Sequence, residues 1–311
     1  MFIEQAIKPA NRFWKYLVGS FIIIVASTFG QIPLGGVVVM SAISEGKPIP
    51  DTTEEMMGFL EPNLTLFLIM ISFIAAMAAI YLVVRYFHNQ SFLSVTTART
   101  KVDWNRILFS FGIWAGFLVL STAVAYYIAP EDFVWNFRPI PFAILALIGI
   151  PLIPIQTSTE EYIFRGYLMQ GFGNLAKNRW FPLLMTSLIF GILHIFNPEV
   201  GKMGYIIMIY YVGTGFFLGV ITLMDDGMEL ALGFHAANNL IGALLVTTDW
   251  SAFKTDSLLK DVSDPTAGYD ILLPMFIIYP ILLFIFSKKY KWSGWREKLT
   301  GKIDNYADAV S

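Results

Sequence analysis

The chain has 311 residues, of which 56% are hydrophobic and 14% are charged, whereas about a quarter of the residues of a soluble domain are charged. This composition excludes an ordinary soluble enzyme, and the absence of cysteine excludes disulfides, thiolate nucleophiles and zinc held by cysteine. The net charge of −2 says little by itself, and the chain shows neither a phosphate-binding glycine loop nor a nucleic-acid surface.

Apolar runs of about 20 residues recur along the chain, long enough for a helix to cross the ~30 Å hydrocarbon core of a bilayer. Helices satisfy their own backbone hydrogen bonds in lipid, so these continuous runs predict helices. We predict an all-α polytopic membrane protein with a single integral-membrane domain over residues 1–311, since no long polar linker divides it. The eight predicted transmembrane helices lie at about 15–42, 63–86, 106–128, 141–160, 181–197, 204–224, 230–247 and 270–287.

The first of these spans begins close to the N-terminus. It contains Gly30, Pro33, Gly35 and Gly36, which predict a kink. Basic residues and an apolar run lie near the N-terminus without a small-residue cleavage site followed by a soluble domain. We therefore interpret this segment as a first span and not as a removed signal peptide.

Lys and Arg residues in the loops predict the orientation of the helices. If the N-terminus is cytoplasmic, the cytoplasmic segments hold 16 Lys and Arg residues and the opposite side holds five. Both termini are therefore predicted to be cytoplasmic, with Glu160 and Glu161 at or below the cytoplasmic interface. The segment 288–311, with Trp292 and Trp295, is interpreted as a basic cytoplasmic tail on anionic lipid. Without a eukaryotic targeting signal, we expect a multi-pass protein of a bacterial cell membrane (the inner or plasma membrane).

Two adjacent carboxylates, Glu160 and Glu161, follow the fourth apolar run in TSTEEYIFRGY. An ionisable side chain at membrane depth costs about 2.5–3.5 kcal/mol on insertion scales, so such a pair needs partners or a function. Glu161 and Arg165 are four residues apart and share a helical face. Glu160 is rotated by about 100° and must face elsewhere, which leaves it free while Arg165 holds its neighbour.

Two further polar patterns lie on later apolar segments. Phe190 and His194 are four residues apart in one segment, and His235 and Asn239 are four apart in another. Each pair shares one face of its helix, and lipid would penalise these faces, so they are expected to converge inside the bundle. Asn238, beside Asn239, is of the type that joins helices by hydrogen bonds.

A carboxylate with two imidazoles suits two kinds of hydrolysis. In the first, Glu160 is a general base that activates water, with an imidazole and an amide at the oxyanion. In the second, Glu160, His194 and His235 bind zinc, which activates its bound water. The usual HExxH spacing of zinc proteases is absent, but residue types alone leave both alternatives open.

The three patterns EExxxR, FxxxH and HxxxN, in this order on successive apolar segments, resemble the CAAX-protease and bacteriocin-processing family, the Rce1-like or Abi group of intramembrane proteases. The resemblance covers about residues 140–250, which it identifies as a catalytic core. It implies that Glu160 and His194 activate water and that Arg165 restrains Glu161.

The resemblance also implies that His235 and Asn239 form the oxyanion site and that Phe190 packs beneath it. It leaves metal dependence open, because both a metalloprotease and a metal-independent glutamate mechanism fit the family. We favour glutamate and water, since no third tight ligand stands beside the two histidines, and keep zinc as the alternative cofactor.

The function that we expect is that of an endopeptidase cleaving a peptide or membrane protein near the cytoplasmic face of the lipid bilayer. One alternative is a non-proteolytic scaffold or immunity protein that binds a membrane-protein partner. Another is a proton-coupled transporter with Glu160 and the histidines as a relay, although the internal repeats usual in such transporters are absent.

Some polar residues outside the motifs suggest no function. His88 follows Arg85 in a basic loop and is expected to be solvated. Asp225, Asp226 and Glu229 are expected to form a solvated cytoplasmic turn.

Overall fold

The protein is described by a computed structural model over residues 1–7, 11–251, 254–264 and 272–303, with the backbone alone at residues 53 and 54. The α-helices are α1 Phe13–Gly30, α2 Ile32–Glu45, α3 Thr53–Phe59, α4 Pro62–Leu82, α5 Trp104–Ile128, α6 Pro139–Glu161, α7 Met169–Ala176, α8 Trp180–Leu193, α9 Pro198–Met203, α10 Ile207–Asp225, α11 Glu229–Leu245, α12 Tyr279–Tyr290 and α13 Trp295–Thr300. Three short strands, β1 Phe133–Trp135, β2 Val246–Thr247 and β3 Leu259–Asp261, form a sheet in the order β1-β3-β2. β3 is antiparallel to β1 and parallel to β2.

The prediction of an all-α polytopic membrane fold is confirmed. In the described chain, five helical stretches are long and apolar enough to cross a membrane: Phe13–Glu45, Pro62–Phe87, Trp104–Ile128, Pro139–Ala176 and Ile207–Asp225. The other three predicted spans contain the shorter helices α8, α11 and α12. The number eight and the cytoplasmic termini therefore stay predictions, and residues 270–271 and 304–311 lie outside the described residues.

The first predicted span is broken in two, as its glycines and proline indicate. α1 ends at Gly30, Gln31 lies between the helices, and α2 begins with Pro33 in its first turn, where a missing backbone N–H costs no hydrogen bond.

The fourth predicted span, about 141–160, coincides with α6, Pro139–Glu161, but the helix does not stop there. It continues through a π-helical segment, Tyr162–Leu168, into α7, so that helix extends from Pro139 to Ala176. Hydropathy treats Glu160, Glu161 and Arg165 as charges exposed to lipid, whereas Glu161 and Arg165 are buried inside the bundle. Glu160 is thus 16 residues from the end of this helix, about 24 Å along its axis.

The helices end in two polar layers. One contains the small sheet and a buried Asp256, which accepts hydrogen bonds from Arg138 and Asn63. The other, which we call the charged end, consists of Arg99, Arg106, Asp225 and Glu229.

The charged end corrects the expectation of a solvated turn. The side chains of Asp225 and Glu229 are 2% and 0% exposed, and Arg99 pairs with both at 3.1 and 3.0 Å. Arg106 pairs with Asp225 as well. These arginines precede α5 or lie in its first turn, so their ion pairs fix the register between α5 and the helices α10 and α11.

His88 is not solvated, which contradicts its sequence interpretation. It is 3% exposed, with Nδ1 at 3.1 Å from Asn11 Oδ1 and Nε2 at 2.9 Å from the Tyr167 hydroxyl. Burial, with a contribution from Lys15, lowers the pKa of His88 to about 4. A neutral imidazole that donates from Nδ1 and accepts at Nε2 satisfies both partners.

Candidate active site

Glu161 and Arg165 form an ion pair with no solvent exposure. Arg165 Nη1 donates to Glu161 Oε1 at 3.0 Å, and both side chains are 0% exposed. Arg165 Nη2 donates to the Gly215 carbonyl of α10 at 3.1 Å, and the guanidinium lies 4.4 Å from the ring centroid of Phe190. The arginine therefore both neutralises Glu161 and joins three helical segments at one point.

Glu160, the neighbouring carboxylate, has a different environment. Its Oε1 accepts a hydrogen bond from Gln156 Nε2 at 2.6 Å, and its Oε2 lies 3.5 Å from His235 Nε2. The side chain keeps 17% of its exposure, while that of Glu161 keeps none. The 100° rotation between adjacent helical residues thus separates a locked carboxylate from a more accessible one.

His235 of α11 stands between these two carboxylates. Its Nδ1 is 2.8 Å from Glu161 Oε1, and because an ionised carboxylate only accepts, Nδ1 carries a proton. With both carboxylates ionised, the charges of Glu160, Glu161 and Arg165 sum to −1. Because Arg165 pairs with Glu161, this charge lies on Glu160, whose Oε2 is 3.5 Å from His235 Nε2.

His194 lies at the end of α8, where the chain turns into the 3₁₀ segment His194–Phe196. Its Nδ1 donates to the Phe190 carbonyl at 2.6 Å, so that Nε2 is the nitrogen that can accept a hydrogen bond when the ring is neutral. Tyr211 stacks on the ring at 4.5 Å, and Phe190 lies 4.6 Å from it. The plane of His194 is therefore fixed from two sides.

Phe190 also connects the two histidines. Its ring centroid is 4.6 Å from that of His194 and 6.1 Å from that of His235. At 3% exposure it lies between the two imidazoles, in the packing role that the resemblance implies.

Asn239 lies one helical turn after His235. Its Nδ2 donates to Gln156 Oε1 at 3.0 Å, and its Oδ1 accepts from Asn238 Nδ2 at 3.1 Å. One N–H of the Asn239 amide is therefore engaged, and its second N–H is a further donor.

The donor set does not fit the zinc alternative. Within the described residues, no group of three His, Asp or Glu side chains is arranged to hold a metal ion. His235 directs Nδ1 at Glu161 and Nε2 at Glu160, and the ring of His194 lies 4.6 Å from that of Phe190. A zinc centre needs at least three converging ligands.

The sequence motifs named most of the charged side chains in direct contact here, and Gln156 and Tyr211 lie outside them. Gln156 and Tyr211 were missed, because a glutamine or tyrosine on an apolar helix has no signature of its own. Gln156 could have been found by its spacing, since it precedes Glu160 by four residues and shares its face.

Depth along the helices separates the acidic pair from the charged end, while its position at or below the cytoplasmic interface stays a prediction. His235 follows Glu229 of the charged end by six residues, about 9 Å, and Gly215 precedes Asp225 by ten residues, about 15 Å. The site therefore lies inside the helix bundle and not at the level of the charged end.

The fold and the site define a polytopic helical membrane protein with a glutamate–histidine cluster buried among its helices. Residues 136–241 match the family described as Type II CAAX prenyl endopeptidase Rce1-like. The resemblance carried by the three motifs is thereby confirmed, and this part of the chain is similar to the Rce1-like family. An intramembrane endopeptidase of the CAAX-protease type is the activity supported at the level of the family.

One relative extends the similarity beyond this core. The uncharacterized protein YyaK of Bacillus subtilis strain 168 is 29% identical over 250 residues, which are 80% of this chain and 83% of YyaK. No solved structure matches the chain.

Proposed function

We propose that the protein is an intramembrane endopeptidase in which Glu160 activates a water molecule without a metal ion. The observation that carries this proposal is the asymmetry of the acidic pair: Glu161 is locked by Arg165, whereas Glu160 is partly exposed and has an oxygen facing an imidazole. A general base needs a free lone pair within reach of the water that it deprotonates.

In the proposed reaction, water attacks the scissile carbonyl and Glu160 takes its proton. The same proton then passes to the leaving amine, so that Glu160 returns to its ionised form. His194, with an unprotonated Nε2, accepts a hydrogen bond from the attacking water and orients it.

The developing oxyanion is stabilised by donors that are already in place. The second N–H of Asn239 supplies one donor, and His235 Nε2 supplies another when the imidazole carries a proton there; both side chains are held by hydrogen bonds to neighbours. Such preorganised donors typically contribute about 10²–10³ in kcat. The roles of His235 and Asn239 given by the resemblance are kept in this proposal.

The proposed substrate is a peptide or membrane protein that enters from the bilayer or the cytoplasmic side. Exposed apolar residues near His194, such as Leu193 and Phe196, suit an apolar or prenylated segment. We further propose a bacterial cell membrane as the location, with both termini in the cytoplasm.

A cleavage assay tests this proposal. The purified protein in detergent is incubated with a farnesylated peptide ending in a CAAX sequence and, separately, with a pool of synthetic apolar helical peptides, and products are detected by mass spectrometry. Glu160→Gln and His194→Ala should each lower the rate by at least about 100-fold. Glu131→Gln, in an exposed loop, is the matched control and should leave it unchanged.

Three outcomes contradict the proposal in different ways. Cleavage that persists in both variants removes Glu160 and His194 from the mechanism. Cleavage that a chelator abolishes and zinc restores would establish the metal alternative. Proton flux across proteoliposomes that collapses in E160Q, without cleavage of either probe, would favour the transporter.

A further inference from the structure

A row of hydrogen bonds leads from the core of the bundle to Glu160. The Trp114 indole Nε1 of α5 donates to Asn238 Oδ1 at 3.0 Å, and Asn238 Nδ2 donates to Asn239 Oδ1 at 3.1 Å. Asn239 Nδ2 then donates to Gln156 Oε1 at 3.0 Å, and Gln156 Nε2 donates to Glu160 Oε1 at 2.6 Å. We call these four hydrogen bonds the amide relay.

The direction of the amide relay is fixed from both ends. An indole N–H can only donate, so the oxygen of Asn238 must face Trp114. An ionised carboxylate can only accept, so the NH₂ group of Gln156 must face Glu160. Each amide between them has one consistent orientation, in which every donor meets an acceptor.

Burial strengthens the last hydrogen bond of the amide relay, from Gln156 to Glu160, which constrains the orientation of the Glu160 side chain. Gln156 is 2% exposed, so water does not compete for its amide. A donor to an ionised oxygen forms a shorter and stronger hydrogen bond than a neutral pair does. A fully satisfied polar network in a low-dielectric interior also holds its members in one geometry.

The two carboxylate oxygens of Glu160 therefore have different environments. Oε1 is occupied by Gln156, while Oε2 stands 3.5 Å from His235 Nε2. When one oxygen of a carboxylate is held by a hydrogen bond, the position of the other oxygen is fixed as well. Fixed placement of a base relative to its water can contribute about 100-fold in rate.

We infer that Gln156 is a positioning residue: it orients Glu160, and the amide relay through Asn239 and Asn238 to Trp114 keeps Gln156 in its orientation. This inference rests on the proposed function only for its effect on rate, since the placement of Glu160 is measurable without a substrate. It adds α5, which contributes no motif residue, to the elements that build the site.

Two variants test the inference. Gln156→Met keeps the length and volume of the side chain and removes its donor and acceptor. It should lower kcat by about 10- to 100-fold and change KM by less than about twofold, because Glu160 is misplaced while substrate contacts remain. Trp114→Phe removes the first donor and should lower kcat about threefold, whereas Trp135→Phe, on the exposed strand β1, should not.

An infrared measurement supplies the readout that needs no activity. The carboxylate stretching bands of Glu160 are those that disappear in Glu160→Gln. In Gln156→Met these bands should shift, because Oε1 loses its hydrogen bond, while the thermal unfolding midpoint should show that the fold is kept.

The outcomes separate this inference from the proposed function. Unshifted Glu160 bands in Gln156→Met, or a kcat within twofold of wild type, overturn the positioning role. If the wild type cleaves neither peptide probe, the proposed function has failed, and the infrared bands alone then decide whether Gln156 orients Glu160.

Discussion

Replacing Arg165 by methionine should be among the most destabilising single changes in this protein. The side chain is 0% exposed, and its removal leaves Glu161 a buried carboxylate with His235 as its remaining polar partner. It also removes the donor to the Gly215 carbonyl. Leaving one member of a buried ion pair unpaired costs about 3–5 kcal/mol, and we expect a loss of that size.

A double-mutant cycle measures the pair. Free energies of unfolding are obtained by titration with SDS in mixed micelles for the wild type, Arg165→Met, Glu161→Gln and the double variant. Because Glu161→Gln removes the orphaned charge, the double variant should recover about 2 kcal/mol relative to the sum of the single effects. A loss below about 1 kcal/mol for R165M, or single effects that simply add, would refute the argument that this pair is a buried unit.

Two further predictions concern stability away from the site. The pKa of His88 is about 4 in the folded state and about 6.5 in the unfolded chain. Between these pH values the unfolded chain binds more protons than the folded protein does. The free energy of unfolding should therefore fall by about 2 kcal/mol from pH 7 to pH 5. His88→Gln should flatten this dependence, and equal losses in both proteins would show that other groups cause it. Gly233→Ala should lower the free energy of unfolding by about 1–3 kcal/mol, because a Cβ there overlaps the backbone carbonyl of Ile107. Gly242→Ala lies on the same helix, and its Cβ meets open space. It is therefore the control in the thermal-unfolding measurement.

The sequence predicted the parts of the site that depend on one helix at a time. The spacing of Glu161 and Arg165 allowed their contact, and the rotation between adjacent residues separated Glu160 from it. The contacts between helices were not accessible in this way. That His235 faces both carboxylates depends on how α11 packs on α6, which periodicity does not specify.

The interpretation of His88 was wrong for a related reason. A histidine after an arginine in a short loop usually faces water, and its buried partners Asn11 and Tyr167 come from distant parts of the chain. Composition and local pattern describe what a side chain prefers when it is alone. They do not describe partners that make its burial acceptable.

The helix that continues beyond the fourth predicted span shows the same physical limit and points to the site itself. Hydropathy ends a membrane helix where charges begin, because it assigns each charge its full cost in lipid. At Glu161 and Arg165 the attraction between the two buried charges offsets much of that cost, and the helix continues into α7 although the apolar pattern stops. Here the helix passes through a place where charges are neutralised by partners. In this protein that place also holds Glu160, the carboxylate whose charge Arg165 does not neutralise directly.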